Sequence, residues 1–184
     1  MNLRILFNRL QVGLGLILAA GGGTVVLAHD VREMTVDARV HTDRTELVVV
    51  VSAHFAGVII DESGAGPAVT AETFAAWRPR LEAKGRELCV LRAEGEGVVA
   101  VPLTTIDVIQ GAQDEVMFFL GYRAAGGERL TLAVPLLDRI AAGYLVSVRV
   151  VDEKRRLLGA KALVRGEATL TFPLVAGIKA AAKG

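Results

Sequence analysis

Three histidines are the residues of this chain best suited to chemistry, and the chemistry they suggest is metal binding. If the chain is cut after Ala28, His29 becomes the N-terminus. Its α-amine and imidazole can then chelate one ion, a donor pair that suits copper(II). Such a site needs at least one more nitrogen donor, and His41 and His54 are the only other histidines. A hairpin joining the strands around them would be the means of bringing those two together. The expected metal set is therefore His29, His41 and His54, with copper as the one candidate cofactor. The plain alternative is three ordinary polar residues at strand ends and a terminus.

Asp61 to Glu72 bears comparison with a calcium loop, which wants oxygen ligands at positions 1, 3 and 5, glycine at 6 and glutamate at 12. Asp61, Ser63, Gly66 and Glu72 fit positions 1, 3, 6 and 12. Position 5 is Ala65, which offers no ligand, and Pro67 follows. A surface loop leading into a helix is the better reading. Catalytic patterns are not visible. Ser52 and Ser63 have no G-x-S-x-G setting, and neither H-E-x-x-H nor a glycine-rich phosphate loop occurs. Asp114-Glu115 and Asp152-Glu153 are adjacent acids, which face opposite ways on a strand and make no acid/base dyad. Cys89, between Leu88 and Val90, reads as a small core residue. The pair Phe118-Phe119 places one ring on each face of a strand, so one of them is available to a partner.

The elements that would position these residues are mostly strands. Met34, Val36, Ala38 and Val40 alternate with Thr35, Asp37, Arg39 and His41, the pattern of a half-buried strand. After a turn at His41–Arg44, the run Glu46–Ser52 is β-branched and suits a strand buried on both faces. Thr70 is positioned to cap a short helix in which Phe74, Trp77 and Leu81 recur at helical spacing. Pro79 should kink or shorten that helix, and Gly85 should end it. Further strands are expected at 86–92, 98–106, 115–123, 129–134, 144–151, 157–164 and 167–172. The expected fold class is mainly β: an antiparallel, Ig-like sandwich of about nine strands with one short helix.

The front of the chain is different. Met1–Arg9 contains Arg4 and Arg9 and no acid, and Leu10–Ala28 carries no charge. A positive start, an apolar run and small residues at Val26 and Ala28 form the plan of a secretory signal. The same 19 apolar residues, at 1.5 Å each, span about 28 Å, close to the roughly 30 Å of a bilayer core. Residues 1–28 are thus a signal peptide or a single transmembrane helix as anchor. Either way the arginines stay inside, and the domain faces the periplasm. Residues 29–173 form the β domain, and 174–184 an alanine-rich tail.

Removing 1–28 lowers Lys+Arg from 21 to 19 against 20 acidic residues, so the formal charge moves from +1 to −1. A domain this neutral has no basic stripe for nucleic acid. One cysteine permits no intrachain disulfide, so the core must supply the stability.

Several features in order carry a resemblance: Ala28-His29-Asp30, an early hairpin, D-x-S-G-x-G…V-T-x-E over 61–72, and R-P-R-L-E over 78–82. Leu137-Asp138-Arg139-Ile140, Gly143–Arg149 and Arg156-Leu157-Leu158 extend it. Together they resemble the extracytoplasmic N-terminal domain of HupE/UreJ-type membrane proteins, over roughly residues 28–172. The multi-span membrane part of those proteins has no counterpart here. The resemblance implies an exported β-sandwich module associated with membrane proteins. The expected function is a non-enzymatic accessory subunit, docking on and stabilising a respiratory, photosynthetic or transport membrane protein complex. A soluble copper-binding module using His29 is the alternative.

Overall fold

The computed structural model describes residues 33–174, apart from 63–65, 95–97 and 113. The signal or anchor segment, His29 and most of the C-terminal tail lie outside the described residues. Among those described, no helix is long and apolar enough to cross a membrane.

The chain is mainly β, with two sheets. β1 (Glu33–Val40), β2 (Arg44–Ser52), β5 (Leu103–Gln110), β6 (Glu115–Arg123), β8 (Leu145–Asp152) and β9 (Leu157–Leu163) form one, in the order β5-β6-β2-β1-β8-β9. β3 (Val90–Glu94), β4 (Val98–Ala100), β7 (Arg129–Ala133) and β10 (Thr169–Pro173) form the other, in the order β10-β7-β3-β4. Every pairing is antiparallel except that of β1 with β8, which is parallel. The region expected as one strand over 98–106 divides into β4 and β5. Pro102 cannot donate to a ladder, and the chain crosses there from one sheet to the other.

Alternation decides the faces. Met34, Val36, Ala38 and Val40 of β1 are all buried, while Thr35 and Asp37 are exposed. In β2, Thr45, Leu47, Val49 and Val51 are buried. The opposite face, with Val48 and Val50, is only half-buried, so the expectation of burial on both sides holds for one.

The core is closed by helices. Ser52 ends β2 and caps α1 (Ala53–Ile60), its hydroxyl accepting from the Phe55 N–H at 3.2 Å. Phe55, Ala56, Val58 and Ile59 of this helix are buried. The loop after it returns so closely that Gly57 and Gly66 meet backbone to backbone.

α2 (Phe74–Leu88) is the expected helix, but it starts four residues after Thr70 and passes through both Pro79 and Gly85. Leu81, Gly85 and Leu88 share its buried face. Gly85 is not a stop but a contact point. A methyl there would come 2.7 Å from Ile106 Cδ1 and 2.9 Å from Phe118 Cδ1, so its hydrogen lets the helix lie close on the sheet. The expected strand over 86–92 therefore begins only at Val90. Cys89 is buried at the junction, and its carbonyl accepts the Tyr122 hydroxyl at 2.6 Å, tying the helix end to β6. A one-turn helix, α3 (Leu136–Arg139), precedes β8. Among the described residues, three helices stand where one short helix is expected.

Candidate functional site

The structure corrects the expected grouping of histidines. His41 lies in the β1–β2 turn, where its N–H donates to the Arg44 carbonyl. His54 lies on α1, beyond the far end of β2. The eight residue steps from Arg44 to Ser52 put them roughly 26 Å apart at ~3.3 Å per residue. The hairpin separates this pair because both cannot be at its closed end. His29 is outside the described residues.

His41 is instead held between carboxylates. Its Nε2 is 3.1 Å from Glu46 Oε2 and its Nδ1 3.7 Å from Glu153 Oε1. The two carboxylates face opposite ring nitrogens, so they cannot join this imidazole around one ion. Glu153 also accepts the Thr42 N–H at 2.8 Å, which fastens the β1–β2 turn to the β8–β9 turn. Its neighbour Asp152 points inward and accepts from the Arg156 N–H at 2.8 Å and Nε at 2.6 Å. Burial alone would raise the Asp152 carboxyl; the contacts from Arg156 outweigh it and hold the group below its ordinary range. Among the described residues, no group of three or more His, Cys, Asp or Glu is arranged to hold a metal.

The loop compared with a calcium site is organised by other contacts. The N–H of Asp61 donates to the Gly57 carbonyl as α1 ends, and Glu62 receives Lys84 at 2.7 Å and Arg139 at 3.5 Å. Glu72 is exposed in the turn before α2. Between Glu62, Lys84 and Arg139 lies a hollow of only about 10 Å³, room for one water at most. A wider depression of about 370 Å³, lined by Ile60, Arg80, Ala83, Lys84 and Glu87, is open to solvent. Neither encloses a small molecule. Burial pushes the Cys89 thiol up to about 12, which leaves it un-ionised at neutral pH and a poor nucleophile.

The feature that does stand out is the outward face of the six-stranded sheet. Strand register sets its side chains in rows. One row runs Ile109, Met117, Val50, Thr35, Ser147, Ala162, and holds no charged residue on any of the six strands. In the next row Phe119 and Val48 are adjacent, flanked by Asp107 on one side and Asp37 on the other. Val48, Val50, Ile109, Met117 and Phe119 are half-buried on this face. A sheet with one face on a core normally turns polar residues to the other. Among the described residues, Val48, Val50, Ile109 and Met117, on three neighbouring strands, depart from that pattern.

No protein-family model and no curated protein sequence matches this chain.

The rim of the apolar cluster is charged and partly paired. Asp107 pairs with Arg78 at 3.1 Å, and Asp37 stands in register with Arg149. Glu46 is held by Arg44 at 2.7 Å; burial would raise its carboxyl, but Arg44 and then His41 bring it below the usual range. The full face, six strands wide and three rows deep, covers roughly 600 Å² by strand spacing. That area is at the low end of what each partner contributes to a specific protein interface, about 600–800 Å². An apolar centre with a polar rim is also the composition such interfaces have. The adjacent Phe118 and Phe119 were the one sign of this face in the sequence. The run of valines in β2 concealed it, since only the pairing of β2 with β6 shows which valines share the side of Phe119.

Proposed function

We propose that this chain is a non-enzymatic, periplasm-facing accessory subunit that docks on a membrane protein complex and stabilises it. The observation that supports this reading is the outward apolar group of Val48, Val50, Ile109 and Met117 on a sheet whose other face makes the core. Burying such surface against a partner gains about 25 cal/mol per Å² of apolar area. On this reading the two sheets are the halves of an Ig-like sandwich, and residues 1–28 export the domain or hold it at the membrane. The similarity to the HupE/UreJ-type extracytoplasmic domain adds an association with membrane proteins.

Affinity purification of the tagged full chain from detergent-solubilised membranes tests the proposal. An integral membrane subunit should be recovered in near-stoichiometric amount with the wild type and be lost with Val50→Lys or Met117→Glu. Equal recovery with all three chains would remove the assignment to this face. Intact-mass measurement of the same sample shows whether residues 1–28 are retained.

A further inference from the structure

β4 is the terminal strand of the smaller sheet, and its outer edge is open. Val98 and Val99 are 68% and 65% exposed, the two most exposed large hydrophobic residues among those described. Ala100 is exposed as well, so the strand has neither charge nor cover. Such an edge is a template for another strand.

The hydrogen-bond phase of β4 decides what can pair there. The Val101 N–H donates to the Leu91 carbonyl at 2.9 Å, so Val101 and Leu91 are a hydrogen-bonded pair. Two steps back, Val99 and Ala93 are another. Val98 and Ala100 belong to the intervening pairs, and their N–H and C=O groups point away from β3 to the free edge. Among the described residues these groups have no partner on that side. The pattern stops at Pro102, which has no N–H and whose carbonyl accepts from the Arg123 N–H at 3.1 Å.

We infer that this edge takes a second copy of the chain, β4 against β4, antiparallel about a two-fold axis through Val99. Val98 then exchanges both its hydrogen bonds with the partner's Ala100, and Ala100 with the partner's Val98. Val99 faces the partner's Val99 as a non-hydrogen-bonded pair, with Cα atoms ~4.5 Å apart, the closer of the two arrangements. The contact is isologous, each copy using the same surface. Charge agrees with this axis. Glu94 is in register with Val98 and Arg92 with Ala100, so Glu94 shares a row with the partner's Arg92 and no like charges meet. A longer extended peptide would run on past Ala100 to Pro102, where no donor remains, whereas a second copy ends where the edge ends. Three residues a side cover far less than the roughly 800 Å² per partner of a standard interface, so the pairing is weak and depends on concentration. It is independent of the outward face of the larger sheet.

Disulfide trapping of the full chain in detergent tests the inference, comparing Val99→Cys with Val98→Cys and using diamide as oxidant. The two positions are almost equally exposed, so chance collision would join them at similar rates. In the proposed pair the Cα atoms of residue 99 are ~4.5 Å apart, within reach of a disulfide, whereas those of residue 98 lie diagonally at roughly 9 Å, beyond it. Cys89 is buried, so the wild type serves as the blank. The expected result is a homodimer of twice the chain mass, formed at least about tenfold faster from position 99 than from 98. Adding Ala100→Pro to Val99→Cys deletes an outward donor and no bond to β3, and should bring the rate at 99 down to that at 98. Equal rates at 99 and 98, no homodimer at 99 at the highest soluble concentration, or a rate unaffected by Ala100→Pro overturns the inference. Trapping of a different protein by position 99 in native membranes, in place of the homodimer, overturns it too. Where circular dichroism shows that Ala100→Pro unfolds the domain, the ratio of rates at 99 and 98 decides alone.

Discussion

Phe118 and Phe119 are consecutive in β6 and stand on opposite faces of the six-stranded sheet. Phe118 is wholly buried, with its ring against Gly85 of α2. Phe119 is half-buried on the outward side, in register with Val48 and Asp107. One peptide bond thus separates a residue of the core from one on the sheet's opposite face.

The two faces should respond differently to substitution. Phe118→Ala removes a ring from the core and is expected to cost about 3–5 kcal/mol. Met117→Glu and Val50→Lys alter the outward face and should change stability by no more than about 1 kcal/mol. Urea denaturation followed by circular dichroism measures both. A loss of several kcal/mol in the outward variants would make that face part of the core.

Gly57→Ala should be among the most damaging small substitutions. A methyl at Gly57 would run into the carbonyl oxygen of Pro67 and come 2.9 Å from its carbonyl carbon. Both obstacles are backbone and cannot rotate away. The helix gains about 1 kcal/mol from replacing glycine, but overpacking of this kind costs typically 1–3 kcal/mol and more where backbone must move. A net loss of about 2 kcal/mol or more is expected in thermal denaturation.

The sequence and the structure agree where local pattern is enough. The β1–β2 hairpin was legible because Met34, Val36, Ala38 and Val40 alternate without interruption before a polar turn. α1 is not legible in the sequence: Phe55-Ala56-Gly57-Val58-Ile59-Ile60 is short, apolar all round and rich in β-branched residues, so periodicity cannot distinguish it from a strand. Ser52 as an N-cap was its one local sign. Glycine usually marks a helix end, which makes Gly85 look like a stop, whereas here Ile106 and Phe118 leave no room for a side chain. The parallel pairing of β1 with β8 joins residues more than a hundred positions apart, and no local signal encodes it. The uncharged outward row depends on that long-range register and was equally hidden.

Acid should weaken the tie between the loop after α1 and the two helices beside it. The Lys84 hydrogen bond, aided by Arg139 and opposed by slight burial, holds the Glu62 carboxyl below its ordinary 4.5. A depressed folded-state value means the contribution is complete above the unfolded value and is lost as pH falls through the folded one. The stability gap between wild type and Glu62→Gln is therefore expected to be widest at neutral pH, to narrow below pH 4.5, and then to close. A gap that stays constant through that window would show that the ion pair contributes nothing.

Cys89 offers a probe of global opening. It is buried at the α2–β3 junction, and burial raises its thiol to about 12. A disulfide reagent should label the native protein only at the rate of unfolding, and one thiol per chain should react at once in denaturant. Fast labelling under native conditions would mean that the α2–β3 junction opens locally.

The separation of His41 and His54 leads to a simple expectation for copper. Because one ion cannot reach both, the effects of His41→Ala and His54→Ala on copper(II) affinity should be independent, the double variant losing in isothermal titration what the two single variants lose separately. A coupling of about tenfold or more between the two substitutions would require the histidines to act together.

Docking on a membrane partner would cover Met117 further in the membrane than in the isolated protein. The chain has three methionines, of which Met117 lies outward in the uncharged row and Met34 lies buried in the core. Peroxide footprinting, read by mass spectrometry as methionine sulfoxide, compares the two in native membranes and in the purified chain. The prediction is that Met117 oxidises several-fold more slowly in membranes than after purification, while Met34 is slow in both. Equal oxidation of Met117 in the two samples would contradict the account.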